Sequence, residues 1–238
     1  VAKQRLDQYK GHLEPSQIAE GMNAALDNAK RLAKAASLLL TKGDYALAAS
    51  LSALSIEESG KLHVLRSLAV ARDDKEVVEC WREYRSHTKK NMMWPFHELF
   101  AKGARRLDDF TSLFGKDGEH PFLLDQLKQI GFYTDCLGKA HWSIPGAAID
   151  HDLAKILVDT ANIFANGRNI TETEIQLWIK HLGPVWNGPK ELMEHGLVRW
   201  YTEMQDQGLV EKGPNAMEEF IVSGVRQTSP QGETEEMI

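Results

Sequence analysis

The sequence has little of what usually announces a function. It holds only two cysteines, Cys80 and Cys136, in 238 residues. That is too few for a disulfide framework and fits a reducing compartment. No apolar run reaches the roughly eighteen residues that a membrane-crossing helix needs, so no membrane partner is expected. The opening residues, VAKQRLDQYKGHLEPSQ, lack the apolar centre of a secretory signal, and a cytoplasmic location is expected. HExxH, CxxC, GxxxxGK[ST] and GxGxxG are all missing, and the nine histidines never fall with Cys or a carboxylate at a recognised metal spacing. No metal and no cofactor are therefore expected. Strand-like alternation is almost absent, which argues against a substantial sheet.

Charge is present but unevenly spread. The net charge of −6 excludes a protein that coats nucleic acid indiscriminately. Residues 80–107 nevertheless carry seven cations (Arg82, Arg85, Lys89, Lys90, Lys102, Arg105, Arg106) against two carboxylates, Glu83 and Glu98. The end of the chain, RQTSPQGETEEMI, is polar and acidic, with the composition of a disordered tail.

Helical periodicity dominates the rest. Ile18, Met22, Ala25, Ala29, Leu32, Ala36 and Leu39 form one stripe, which starts after Pro15 and stops near Gly43. Asp44 then caps a second helix with the stripe Leu47, Leu51, Leu54, Glu58, Leu62, Leu65 and Ala69. Asp73 or Asp74 opens a third, carrying Val77, Trp81, Tyr84 and Thr88 as far as Pro95. Further helical patterns lie around 96–114, 121–132, 149–165, 172–182, 189–206 and 215–224, and Thr171 to Glu174 has capping-box spacing. Residues 116–121 and 138–146 read as loops. Trp178, Trp186 and Trp200 are placed as core residues. The expected fold is an all-α bundle built on a long antiparallel hairpin of the first two helices.

Two places carry chemistry. Glu58 interrupts the apolar stripe of the second helix, where a carboxylate costs several kcal/mol unless paired. Glu57 and Lys61 are spaced for an i,i+4 pair with Glu58 at the rim; alternatively Glu58 holds His87 or Arg82 from the neighbouring helix. The second place is CWREYRSHTKKN, residues 80–91. On a straight helix, at about 100° per residue, Arg82 joins Arg85 and Lys89 on one flank. His87 lies with Glu83 and Asn91 on the other, about 140° from Arg82.

IEESGK (56–61), then RSHTKK (85–90) on a Trp- and base-rich helix, then FYTDCLGKAHWSIP (132–145), resemble in that order the AbiV family of bacterial abortive-infection proteins. The similarity spans roughly residues 20–165. AbiV proteins are similar to the HEPN superfamily, helical domains that are often metal-independent ribonucleases with an Arg-x4–6-His motif. Arg82-EYRS-His87 has that form. The resemblance implies a HEPN-like helical domain over 14–165, followed by a C-terminal helical extension over 166–225 and the acidic tail over 226–238. It implies a homodimer in which motif helices meet across the interface, with RNA as substrate and a phage-encoded protein as a candidate activator. Arg82 and His87 would be catalytic, supported by Glu57, Glu58, Lys61, Glu83, Lys90 and Asn91. Arg85, Lys89, Arg105 and Arg106 would bind RNA. The alternative is a non-catalytic HEPN-like protein that senses a phage component or blocks translation by binding; Glu83 beside Arg82 and the acidic total favour it.

Overall fold

The computed structural model describes residues 7–86, 106, 109 and 120–224, of which 120–122 are described in their main chain alone. Nine α-helices and one small hairpin stand among the described residues. The all-α expectation holds.

α1 (Pro15–Thr41) and α2 (Tyr45–Ala69) form the antiparallel hairpin, and their joint follows from four residues. Gly43 takes φ +79°, so its N–H reaches the Leu40 carbonyl (3.1 Å) and the Asp44 N–H reaches that of Leu39 (3.0 Å). This double closure satisfies the last carbonyls of α1. The Asp44 side chain then accepts from the Leu47 N–H at 3.2 Å and starts α2.

The stripe expected on α1 is the buried one, from Ile18 to Ala36. On α2 the expected stripe is buried only near its end, at Leu65. Leu47 is exposed and Leu51, Leu54, Glu58 and Leu62 are half-buried, whereas Ala46, Ala49, Ala53, Ile56, Glu57 and Gly60 are buried. The reason is position. α2 is enclosed by α1, α3 (Asp74–Arg85), α4 (His120–Phe132) and α6 (His151–Ala165). Small side chains let these axes approach, so the side that closes best is the small one. Its serines find partners within the packing: Ser55 donates to the α1 carbonyl of Ala29 (2.8 Å), and Ser52 to that of Ala48 (2.8 Å).

After α4 the chain makes β1 (Asp135–Leu137) and β2 (His141–Ser143), antiparallel, with Cys136 opposite Trp142. The loop expected over 138–146 is thus in part a strand and in part a short helix, α5 (Pro145–Ala148). The hairpin is exposed on both faces: Tyr133, Leu137, Trp142 and Ile144 all stand out in solvent.

Asp150 caps α6, and Thr171 caps α7 (Glu172–Leu182) by accepting the Glu174 N–H at 3.2 Å, as the capping-box spacing predicts. α8 (Lys190–Asp206) and α9 (Ala216–Val222) complete the chain's described part. Ile175 of α7 shares a core with Ile18, Met22 and Leu65. Trp178 and Trp200 pack edge to face at 5.2 Å in the last core cluster, the core placement the sequence suggested. No helix of the described residues is long and apolar enough to cross a membrane.

Candidate functional site at the end of α3

α3 begins at its Asp73 cap, whose carboxylate accepts the Glu76 N–H at 2.8 Å, and presents Val77, Cys80 and Trp81 inward. It ends at Arg85. Ser86 is extended, with φ −79° and ψ 131°, well short of Pro95. The angular separation assigned to Arg82 and His87 presumes one continuous helix across both, and that premise fails at Ser86. His87, Thr88, Lys89, Lys90, Asn91 and Arg105 lie outside the described residues.

An aromatic post holds this helix end. The Trp81 indole donates to the Gly11 carbonyl at 2.9 Å and meets Tyr9 and Tyr84 edge to face at 6.1 and 5.5 Å. The Arg85 guanidinium lies 5.0 Å over the Trp81 ring and donates to the Tyr9 carbonyl, so it is engaged within the fold and not extended towards solvent. Lys61 of α2 sits 5.2 Å over the Tyr84 ring and bonds Glu58 at 2.6 Å. The Glu58–Lys61 part of the IEESGK segment is thereby brought to α3. The partner of Glu58 is Lys61 at i,i+3; the alternatives of a Glu57–Lys61 pair and of a Glu58 bond to Arg82 are both replaced by this geometry.

Glu57 points the other way. Its carboxylate is buried and accepts from the Lys128 ammonium of α4 at 2.7 Å, and Lys128 is also 2.7 Å from Asp125. Burial alone would push the Lys128 pKa down, but its bonds to Asp125 and Glu57 outweigh this and hold it raised. Lys128 was not singled out from the sequence. A signal existed: it lies four residues after the buried Leu124, on the apolar stripe of α4.

Arg82 is the opposite case, with its side chain 72% exposed. It pairs with Glu79 one turn back, a bond that raises a pKa already far above neutrality. Glu83 is half-buried beside it. The field along α3 is mixed, not basic. Burial first, then the carboxylates of Glu83, Glu76 and Glu79, push the Cys80 thiol up to about 11. Arg106 is exposed, and its N–H bonds the Asp109 carboxylate at 2.9 Å. Among the described residues no group of three or more His, Cys, Asp or Glu side chains is arranged to hold a metal ion.

The profile of one protein family, AbiV of the HEPN type, matches residues 17–166, well over half of the chain. The chain belongs to the AbiV family. It is thus a HEPN-type abortive-infection protein. No curated protein and no solved structure matched. The AbiV match covers α1 to α6 and closes just after Ala165, so α7, α8 and α9 lie beyond it. Where the two parts meet, this AbiV chain has a second charged constellation that went unnoticed in the sequence. Glu174 of α7 is buried between Arg66 of α2 (3.2 Å) and Arg168 (2.8 Å), with Arg66 packed on Trp178 and Trp200 at 5.3 and 5.6 Å. The nearest sequence signal was the Thr171–Glu174 cap spacing, which explains the main-chain bond of Glu174 and not its side chain.

Proposed function

We propose that this AbiV-family protein is a metal-independent endoribonuclease that halts growth or translation after phage infection, with Arg82 and His87 as its catalytic pair. The observation that carries the reading is the exposure of Arg82 at a helix end that stops three residues later. An arginine kept in solvent, about one turn before the extended Ser86, is available to a phosphate in a way a core arginine is not. Its bond to Glu79 does not oppose this. Both side chains are largely exposed, and such pairs are weak enough for a phosphodiester to displace.

In the proposed reaction His87 takes the proton of a ribose 2′-hydroxyl as the 2′-oxygen attacks phosphorus. The bond from phosphorus to the 5′-oxygen breaks, and that oxygen leaves as a hydroxyl after accepting the proton that His87 took from the 2′-hydroxyl. Arg82 neutralises the charge that builds on the non-bridging oxygens. The products are a 2′,3′-cyclic phosphate and a 5′-hydroxyl. A homodimer, with α3 of each protomer near the interface, supplies a second copy of both residues. RNA docks along the cations of 85–106, of which Lys89 and Arg105 with Arg106 carry most, since Arg85 is already engaged with Trp81.

A second reading is favoured by one observation. The β1–β2 hairpin exposes Tyr133, Leu137, Trp142 and Ile144 together, and apolar surface of that kind suits protein binding. On that reading the chain blocks translation or senses a phage protein without cutting RNA.

The deciding experiment follows growth and total RNA in infected cells expressing wild-type, Arg82→Ala or His87→Ala protein. A general acid–base group contributes about 10²–10⁴-fold in rate, so either substitution should abolish RNA fragmentation and growth arrest. Fragmentation in vitro should persist in EDTA. Intact RNA alongside blocked phage growth in the wild type would sink the nuclease reading and leave the binding one.

A further inference from the structure

We propose that the cleft bounded by α2, α7, α8 and the 207–214 loop binds a small organic anion of mononucleotide size, a phosphate joined to a flat ring, through Arg66 and Arg168. None of the described residues assigned to RNA cleavage lines it, so the proposal stands apart from the nuclease reading.

The cleft measures about 820 Å³, within the roughly 300–1,000 Å³ of small-molecule sites. Its floor is charged. The Glu174 carboxylate, 2% exposed, lies against both guanidiniums, 3.2 Å from Arg66 and 2.8 Å from Arg168. One carboxylate against two guanidiniums leaves an excess positive charge at the floor of the cleft, which a further anion relieves and a cation would not. Arg66 lines the cleft with 30% of its side chain accessible, so an anion there can approach it. Arg168 lines the same cleft with nearly half of its side chain, 45%, still accessible. A phosphate has oxygens enough for both forks.

The walls suit the rest of such a ligand. Tyr201 and Val210, both half-buried, line the cleft and offer an aromatic and apolar surface against which a ring can pack. The rim is fixed in place. The Gln205 amide donates to the carbonyls of Glu211 and Gly213, both at 3.1 Å, and Gly208 turns the chain at φ +69°. Glu211 is the other carboxylate of the lining, but it is exposed, and solvent screens its charge. Because Arg66 belongs to the AbiV-matched part and Arg168 with Glu174 to the part beyond it, a bound ligand ties the two together.

The test is isothermal titration and thermal melting of the full chain with AMP, GMP, CMP and UMP, set against adenosine and inorganic phosphate alone. At least one nucleotide should bind saturably and raise the melting temperature. Adenosine and phosphate should each bind about tenfold or more weakly, the loss expected when a charged hydrogen bond or the ring contact is removed. Arg168→Gln should weaken binding by a similar factor with an unchanged circular dichroism spectrum. Should Arg168→Gln fail to fold, Val210→Trp on the rim serves instead, filling the cleft and blocking binding. The proposal is overturned if no nucleotide binds at millimolar concentration, if both folded variants bind as the wild type does, or if phosphate alone binds as well as any nucleotide.

Discussion

Glu57 and Glu79 each hold a cation, one in the seam between α2 and α4 and the other on the surface of α3. The Glu57–Lys128 bond joins side chains that are 4% and 6% exposed; the Glu79–Arg82 bond joins side chains that are 49% and 72% exposed. The drawn contact is similar and the physics is not. In the seam neither charge has water to fall back on: Glu57 is bonded by Lys128, and Lys128 by both Glu57 and Asp125. The seam is also tight. A Cβ on Gly131 would come within 2.8 Å of the Ala46 carbonyl oxygen, and Ser50 donates across to the Lys128 carbonyl at 3.2 Å. On α3 either partner can be rehydrated or exchanged at little cost. The first arrangement is what a fold uses to fix two helices. The second is what a site needs if an arginine must leave its resting partner for a substrate.

The comparison breaks first, and most visibly, in the seam. Lys128→Ala takes the ammonium from the buried Glu57 carboxylate, and losing one partner of a buried pair typically costs ~3–5 kcal/mol; Glu57→Ala should cost less, because Lys128 keeps Asp125 at 2.7 Å. For a chain of this size the Lys128→Ala loss is a drop of about ten degrees in melting temperature, at about 2–4 °C per kcal/mol. Replacing Glu57 and Lys128 together by Leu and Met should cost less than Lys128→Ala, because the carboxylate then left without Lys128 is Asp125, which is 32% exposed and can be hydrated. Calorimetry on the three variants decides it. A double variant as unstable as Lys128→Ala would show that the pair is held for reasons of shape and not of charge.

Next in size is Glu58→Ala. Its bond to Lys61 is short but both side chains are 18% exposed, and Lys61 keeps its place over the Tyr84 ring. A loss of about 1 kcal/mol is expected, several-fold below that of Lys128→Ala. A melting temperature that falls as far as that of Lys128→Ala would place the buried charge of α2 on the wrong residue.

These neighbouring carboxylates also mark how far the sequence could be read. The α1–α2 hairpin was legible down to Gly43 and Asp44, because its joint is made by local main-chain geometry. The Asp73 and Thr171 caps were legible for the same reason. The buried face of α2 was not. Hydrophobic periodicity weights large side chains, whereas a helix enclosed on several sides turns its small ones to its closest neighbour and leaves its leucines at the edge. That rotation carried Glu57 inward, against expectation, and set Glu58 at the rim, one of the two placements the spacing allowed. Lys128 and Asp125 could not be assigned to Glu57 without knowing that α4 crosses α2. At the candidate site the sequence supplied Arg82 and the family, but the end of α3 at Arg85 is marked by no Gly or Pro. Its nearest breaker, Pro95, sits ten residues on.

The smallest expected effect is the one on which the functional test depends. Arg82→Ala should leave the melting temperature unchanged within error, since Arg82 is exposed and touches the fold through Glu79 alone among the contacts described. It should still leave a local trace. Without Arg82, the Glu79 carboxylate is uncompensated beside Cys80, whose thiol is already pushed up to about 11 by burial and by Glu83, Glu76 and Glu79. Near pH 8 such a thiol is roughly a hundredfold less ionised than one with the ordinary value near 9. In the wild type a thiol reagent should therefore label the exposed Cys136 rapidly and Cys80 very slowly. In Arg82→Ala the Cys80 rate should fall further while that of Cys136 stays the same. Faster labelling of Cys80, or a melting temperature several degrees lower, would mean that Arg82 holds α3 in place. Loss of RNA cleavage in Arg82→Ala would then report a damaged helix. With both measurements unchanged or moved as expected, the same loss can be assigned to the missing guanidinium at the phosphate.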